Sequence, residues 1–187
     1  MDGARKPYRT GVLTGRFQMI HLGHIEMIEK AREICEKIII LVGSSQEAGT
    51  EKNPFSYEER RDMLKAVFPD DNISVFPLPD AGFGNHILWG EYILNRVKEY
   101  TGTLPDLMIT GREERREGWF SGPNGMNVAE LAVPKSVPLS ATQMREWLIH
   151  GDKEKWSEAT APALRERYSA LRETVLASVG KKETDSI

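Results

Sequence analysis

A doubly wound parallel α/β sheet in a single domain is the fold this sequence predicts, and three observations carry it. Short apolar runs and helical patterns alternate from Thr10 to Gly111. The run KIIILVG from Lys37 is apolar almost throughout, as expected of a parallel strand covered on both faces. No repeat, linker or low-complexity stretch divides the 187 residues, so one domain is expected over 1–180, with a frayed tail at 181–187.

The elements follow in order. TGVL from Thr10 reads as the first strand, and HIEMIEKAREIC from His24 as a helix with Ile28, Ala31, Ile34 and Cys35 at helical spacing. KIIILVG is the second strand. In SYEERRDMLKAVF, Ser56 and Glu59 have the spacing of a capping box, and Pro69 ends the helix. ISVFPL from Ile73 is a third strand; ILWGEYILNRVKEY from Ile87 is a helix interrupted only by Gly90; DLMITG from Asp106 is a fourth strand. GREERREGWFSGPNGMN from Gly111 mixes charge, glycine and proline, and reads as a helical turn followed by a long loop. NVAELAV from Asn127 gives a further strand. Ser140–His150 reads as a short helix, and Pro162–Val179 as a longer one with proline in its first turn.

Composition narrows the class of function. Apolar residues make up 40% and charged residues 28%, an ordinary globular mixture. A net charge of −3 gives no general attraction to nucleic acid or an anionic membrane. The basic residues of GREERREGW alternate with acids, so no backbone-binding patch forms there. No run approaches the roughly 20 apolar residues of a spanning helix, and MDGARKPYR lacks the apolar core of a signal peptide. The single cysteine, Cys35, fits a reducing compartment. These features predict a cytoplasmic protein acting on small molecules, with homo-oligomers open.

The stretch GRFQMIHLGH, Gly15 to His24, follows the first strand and opens the first helix, where open α/β sheets bind ligands. Backbone N–H groups at a helix N-terminus attract an anion, and Gly23 permits close approach. His21 and His24 can donate to phosphate oxygens, and Arg16 adds a planar cationic fork. Zinc fits less well, because no cysteine or acidic third ligand lies nearby. Neither G-x-x-x-x-G-K-[ST] nor a G-x-G-x-x-G after the first strand is present. In LSATQMREW, Ser140 and Gln143 have capping-box spacing, Thr142 supplies a hydroxyl in the first turn, and Arg145 lies near the same N-terminus. Lys52 lies beside the turn at Pro54, where it meets either phosphate or solvent. In GFGNHILW, Asn85 or His86 could read an amide, and Trp89 either stacks on a flat cationic ring or packs in the core.

GRFQMIHLGH resembles the H-x-G-H signature of the nucleotidyltransferase superfamily, and Leu139–Arg145 resembles its I-S-x-T-x-x-R signature. VGSSQEAGTEKNPFSYEER from Val42 and PLPDAGFGNHILW from Pro77 resemble the archaeal-type nicotinamide-nucleotide adenylyltransferases. The resemblance runs from about Val12 to Arg145. It implies a Rossmann-like fold and transfer of AMP from ATP, with Mg²⁺, to a phosphorylated acceptor. It implies that His21, His24 and Arg145 hold the triphosphate, with Gly15, Arg16, Phe17, Gln18, Gly23, Gly111, Ser140 and Thr142 around ATP. Lys52, Asp80, Asn85, His86 and Trp89 would hold the acceptor. No resident protein-bound metal is implied. The chain departs from the pattern in three places: Met19 replaces the usual proline, Arg112 the usual asparagine, and the loops at 80–89 and 113–127 are longer. Other acceptors (nicotinate mononucleotide, phosphopantetheine, a flavin nucleotide), cytidylyl transfer, and nucleotide binding without turnover are the alternatives.

Overall fold

The structure is a computed structural model that describes residues 5–111, 118–125, 127–134 and 136–182. Five strands form one parallel sheet: β1 (Tyr8–Gly15), β2 (Cys35–Gly43), β3 (Ile73–Leu78), β4 (Leu107–Thr110) and β5 (Ala129–Ala132). Their order is β3-β2-β1-β4-β5, so β1 is central and the winding reverses beside it, between β1 and β4. Gly11 lies opposite both Ile38 and Leu107.

Alternation along the strands divides the apolar residues between two faces. Leu13, Ile38, Ile40, Val42 and Ile109 enter the larger cluster; Val12, Ile39, Leu41 and Met108 enter the smaller. The larger is covered by α1 (Leu22–Ile34), α2 (Tyr57–Val67), α4 (Ala141–His150), α5 (Lys153–Glu158), α6 (Pro162–Arg165) and α7 (Tyr168–Ser178). The smaller is covered by α3 (His86–Thr101) together with Trp119, Phe120 and Val128. Among the described residues no helix is long and apolar enough to cross a membrane.

Local chemistry sets the ends of the helices. Ser56 accepts from the Glu59 amide and the Glu59 carboxylate accepts from the Ser56 amide, completing the capping box of α2. At α4, Ser140 accepts from the Gln143 amide. Most expected boundaries shift by one to a few residues, and two differences change an element's character. Cys35 belongs to β2: its N–H still donates to the Ala31 carbonyl, but its backbone is already extended (φ −114°, ψ 137°). The expected single helix over 162–179 is two, broken at Glu166–Arg167, because α6 packs on α2 while α7 packs on α4. A short helix, α5, precedes them, nucleated around the fully buried Trp156. Of the expected turn and loop after Gly111, residues 112–117, Arg112 among them, lie outside the described residues. Segment 118–125 is a run of turns.

Gly90 lies inside α3, which passes through it unbroken. A Cβ there would fall well inside van der Waals contact of the Trp119 carbonyl. Helix propensity alone favours Gly90→Ala by about 1 kcal/mol. The collision is with main chain that a rotamer change cannot move, so Gly90→Ala is expected to destabilise by about 1–3 kcal/mol. Chemical unfolding of the variant decides, and a gain in stability would show that segment 118–125 does not rest on this helix.

Candidate active site

At the carboxyl ends of β1 and β4 a cleft of about 470 Å³ opens between the N-termini of α1 and α4. It lies at the reversal of the sheet, where such folds bind ligands. Gly15, Arg16, Phe17, Gln18, His21, Gly23, His24, Gly111, Ser140, Thr142 and Arg145 all line it. These are the residues expected around ATP, drawn together from segments more than 100 positions apart.

The histidines are set by the first turn of α1. His21 is its N-cap, and its carbonyl accepts from the His24 amide at 2.9 Å. The two imidazoles stack with centroids 3.8 Å apart, and the Phe17 ring lies 4.9 Å from that of His24. A Cβ on Gly23 would sit 3.2 Å from the His21 ring, so glycine leaves the space that ring occupies. His21 is only 6% exposed, its ring held in a packed wall, whereas His24 is half-buried.

Arg145 reaches across from α4. Its guanidinium donates to the Gln18 carbonyl at 3.2 Å and to the Thr142 hydroxyl at 3.4 Å. Burial pushes its pKa down, and the neighbouring Arg16 charge pushes the same way. Arg60 also has a lowered pKa, about 10, mainly through burial and secondarily through Arg16 among the neighbouring cations. Arg16 thus lies near two other guanidinium groups, and among the described residues Glu26 is the one carboxylate lining the cleft. Glu26 is engaged, accepting from the Ser136 hydroxyl of the opposite wall. Such a field suits a polyanion.

Two neighbouring residues hold the loop. The Gln18 side-chain amide donates to the Phe55 carbonyl at 3.0 Å and accepts from the Phe55 main-chain amide at 2.9 Å. Gln18 therefore fastens the loop after β2, contributing its main chain to the cleft. Met19, where the superfamily usually has proline, is fully buried with φ 147°, an angle that proline's ring forbids. Burial of Met19 and the Gln18 clamp stabilise the loop in proline's place.

The five residues expected at the acceptor do not line this cleft. Asp80, beyond β3, accepts from Gln46 Nε2 at 3.0 Å, and its own amide donates to Gln46 Oε1 at 3.0 Å. Asn85 is the N-cap of α3, its side-chain carbonyl accepting from the Ile87 and Leu88 amides. His86 is exposed, and Trp89 is half-buried against Tyr92 and Trp119. Lys52 is exposed in the turn before Pro54.

Sequence reasoning missed Arg60, the side chain on which the site rests. It is fully buried, and its guanidinium donates to the carbonyls of Arg16 (2.9 Å), Gly43 (2.8 Å), Ser44 (3.1 Å) and Ser56 (3.0 Å). The one available signal was spacing, since Arg60 falls on the buried stripe of α2 with Met63 and Leu64. Arg60→Met keeps the bulk but leaves several buried carbonyls without a donor. A loss of at least about 3 kcal/mol is expected in chemical denaturation. Unchanged stability would mean that water replaces the guanidinium.

Comparison with known proteins supplies independent findings. Residues 12–92 match the family model described as Cytidylyltransferase-like. The chain is 30% identical over 167 residues to the nicotinamide-nucleotide adenylyltransferase of Pyrococcus horikoshii, covering 87% of this chain and 83% of that protein. It is 28% identical over 170 residues to the enzyme of that name from Pyrococcus furiosus, covering 88% and 85%. Among solved structures, a bifunctional NMN adenylyltransferase/ADP ribose pyrophosphatase from Francisella tularensis superposes with TM-score 0.70 at 21% identity. That match spans 91% of this chain and 52% of the bifunctional protein, about half its length. NadR protein in complex with NAD and AMP-PNP gives TM-score 0.59 at 24% identity, over 80% of this chain and 44% of that one. With paired histidines at one helix N-terminus, an arginine at the other, and this degree of identity over most of its length, the chain belongs to the nicotinamide-nucleotide adenylyltransferase family of the nucleotidyltransferase superfamily.

Proposed function

We propose that the chain transfers the adenylyl group of ATP to the phosphate of nicotinamide mononucleotide, forming NAD and releasing pyrophosphate. The observation that carries the reading is the convergence of His21, His24 and Arg145, at two helix N-termini, on one cleft. A phosphate oxygen of the acceptor attacks the α-phosphorus in line, and the bond to the bridging oxygen breaks as pyrophosphate leaves. The nucleophile is already anionic, so no general base is needed. The protein positions the two phosphates and stabilises charge on the leaving group.

The cleft divides the work. His21, His24 and Arg145 surround the triphosphate, with the free amides at the start of α4 as further donors. Met27, Val133 and Leu139 give the same cleft an apolar wall suited to adenine. Asp80, Trp89, His86 and Lys52 are assigned to the acceptor. Mg²⁺ enters with ATP, its ligands phosphate oxygens and water. We place the reaction in the cytoplasm, a reducing compartment that suits a chain with a single cysteine, Cys35.

The direct test follows pyrophosphate release with ATP, Mg²⁺ and a panel of phosphorylated acceptors. Nicotinamide mononucleotide should give the highest kcat/KM, and turnover restricted to another acceptor would overturn the assignment.

His24→Ala is expected to lower kcat about a hundredfold with little change in the KM for ATP. Charge grows on the bridging oxygen as pyrophosphate departs, so a donor there acts mainly in the transition state. Near-normal turnover would remove His24 from the chemistry.

Arg145→Lys should leave the fold intact, because Ser140 still caps α4, yet lower kcat/KM for ATP by tenfold or more. Lysine keeps the charge but cannot span the Gln18 carbonyl and a phosphate with one planar group. Steady-state kinetics beside a melting curve separates this from simple unfolding.

A further inference from the structure

We infer that Glu51, latched to the chain just beyond α7, is a positioning residue that holds Lys52 for the acceptor. The inference rests on the proposed acceptor and on the assignment of Lys52 to it.

The two residues share the tip of one turn. Its stem is closed by the Gly49 amide donating to the Pro54 carbonyl and the Thr50 amide to the Asn53 carbonyl, both at 3.2 Å. The Asn53 amide also donates to the Thr50 hydroxyl at 3.0 Å. Thr50, Asn53 and Pro54 are buried, while Glu51 and Lys52 are exposed. The stem therefore fixes where the turn leaves the protein, and the tip needs a hold of its own.

That hold comes from 129 residues away. The Gly180 amide donates to the Glu51 carboxylate at 3.1 Å, and the Glu51 amide donates to the Lys181 carbonyl at 2.9 Å. Glu51 both gives and accepts, so its main chain and its side chain are fixed together. Gly180 has φ 75°, a left-handed angle that turns the chain out of the helical path. A groove lined by Gly49, Pro54, Ala170, Thr174 and Ala177 lies between the turn and α7. The bonds at Gly180 and Lys181 thus span a gap that apolar packing leaves open.

α7 is itself braced on the helices of the site. Arg172 donates to the Ile149 carbonyl of α4 at 3.3 Å, and the Thr174 hydroxyl to the Glu59 carboxylate of α2 at 3.4 Å. Because α4 carries Arg145, the latch ties the turn bearing Lys52 to the helix that reaches the triphosphate. Burial and Arg16 lower the Arg145 pKa, and the Glu51 carboxylate is near enough to be among the charges that oppose them. A lysine side chain is rich in rotamers, and a fixed backbone beneath it lowers the cost of ordering it on a ligand. Lys52 does not line the ATP cleft, so the benefit belongs to the acceptor.

Three variants test this. Glu51→Ala removes the carboxylate, Glu51→Gln keeps an accepting oxygen without the charge, and Gly180→Pro removes the donating N–H and excludes φ 75°. Val179 already has φ −56° and ψ 132°, the extended backbone favoured before proline, so Gly180→Pro leaves α7 intact. Each is made alone and with Lys52→Ala, and KM for nicotinamide mononucleotide and for ATP, kcat and thermal unfolding are measured. Glu51→Ala and Gly180→Pro should raise the acceptor KM about fivefold, with the KM for ATP within about twofold. Glu51→Gln should keep both within about twofold. On the Lys52→Ala background, Glu51→Ala and Gly180→Pro should raise the acceptor KM no further. An unchanged acceptor KM in Glu51→Ala, or losses that add in full to that of Lys52→Ala, overturns the positioning role and leaves the latch a structural contact. A silent Lys52→Ala overturns it too, together with the assignment of Lys52. Wild-type protein that does not turn over nicotinamide mononucleotide overturns the proposed function itself, a result visible before any variant is made.

Discussion

The buried guanidinium of Arg60 bridges the loops on which the site is built. The loop leaving β1 supplies the Arg16 carbonyl, the loop leaving β2 supplies those of Gly43 and Ser44, and α2 supplies that of Ser56. Two further links extend this one. Gln18 pairs with the main chain of Phe55, and Arg145 donates to the Gln18 carbonyl, which joins α4 to the same assembly. Burying a cation among carbonyls is costly, as the lowered pKa of Arg60 registers. Its donors reach carbonyl groups of several segments at once, so the arrangement persists because losing it would leave several polar groups dry together. These hydrogen bonds of Arg60 all go to main-chain carbonyls and none to a carboxylate, so the contacts that hold it leave its charge uncancelled.

That potential has a thermodynamic side. Arg16 stands near both Arg60 and Arg145, and each is easier to deprotonate for it. The three guanidinium groups repel one another, and a bound anion would relieve that repulsion. Affinity for a triphosphate and stability of the folded chain are consequently linked, since a ligand that binds only the native state adds to its stability by mass action. The same placement favours catalysis, because the donors are oriented before the leaving group acquires its charge and need not reorganise.

How much of this was legible in the sequence varies with how local the information is. β3 was readable to the residue, and the cap of α2 to the hydrogen bond, because neighbouring positions determine both. The phosphate cleft was readable because two short signatures each build one helix N-terminus, and the sheet brings them together. Cys35 was misplaced because helical spacing continues into it although the backbone has already turned extended. The break at Glu166 depends on which helix each half packs against, information absent from the segment itself. Gln18 was read as a nucleotide contact because its signature is, but its amide meets Phe55, 37 residues away. Arg60 offered only its spacing: followed by Arg61, it looks like part of a solvated charged face, and the tertiary fold sets Arg60 fully inside while Arg61 stays partly exposed.

The passage from α1 to β2 has no intervening loop, the helix ending at Ile34 and the strand beginning at Cys35. A gain or loss of one residue in α1 would rotate its N-terminal half by about 100° relative to the sheet. In β2 the same change would exchange the strand's two faces, moving Ile38, Ile40 and Val42 from one core to the other. Both histidines would be carried off the cleft in the first case, and both cores unmade in the second. The stretch from Gly15 to Gly43 is consequently a fixed ruler, in which substitution is open to evolution but change of length is not. Length can drift where a loop decouples helix from strand, as at 79–85 between β3 and α3.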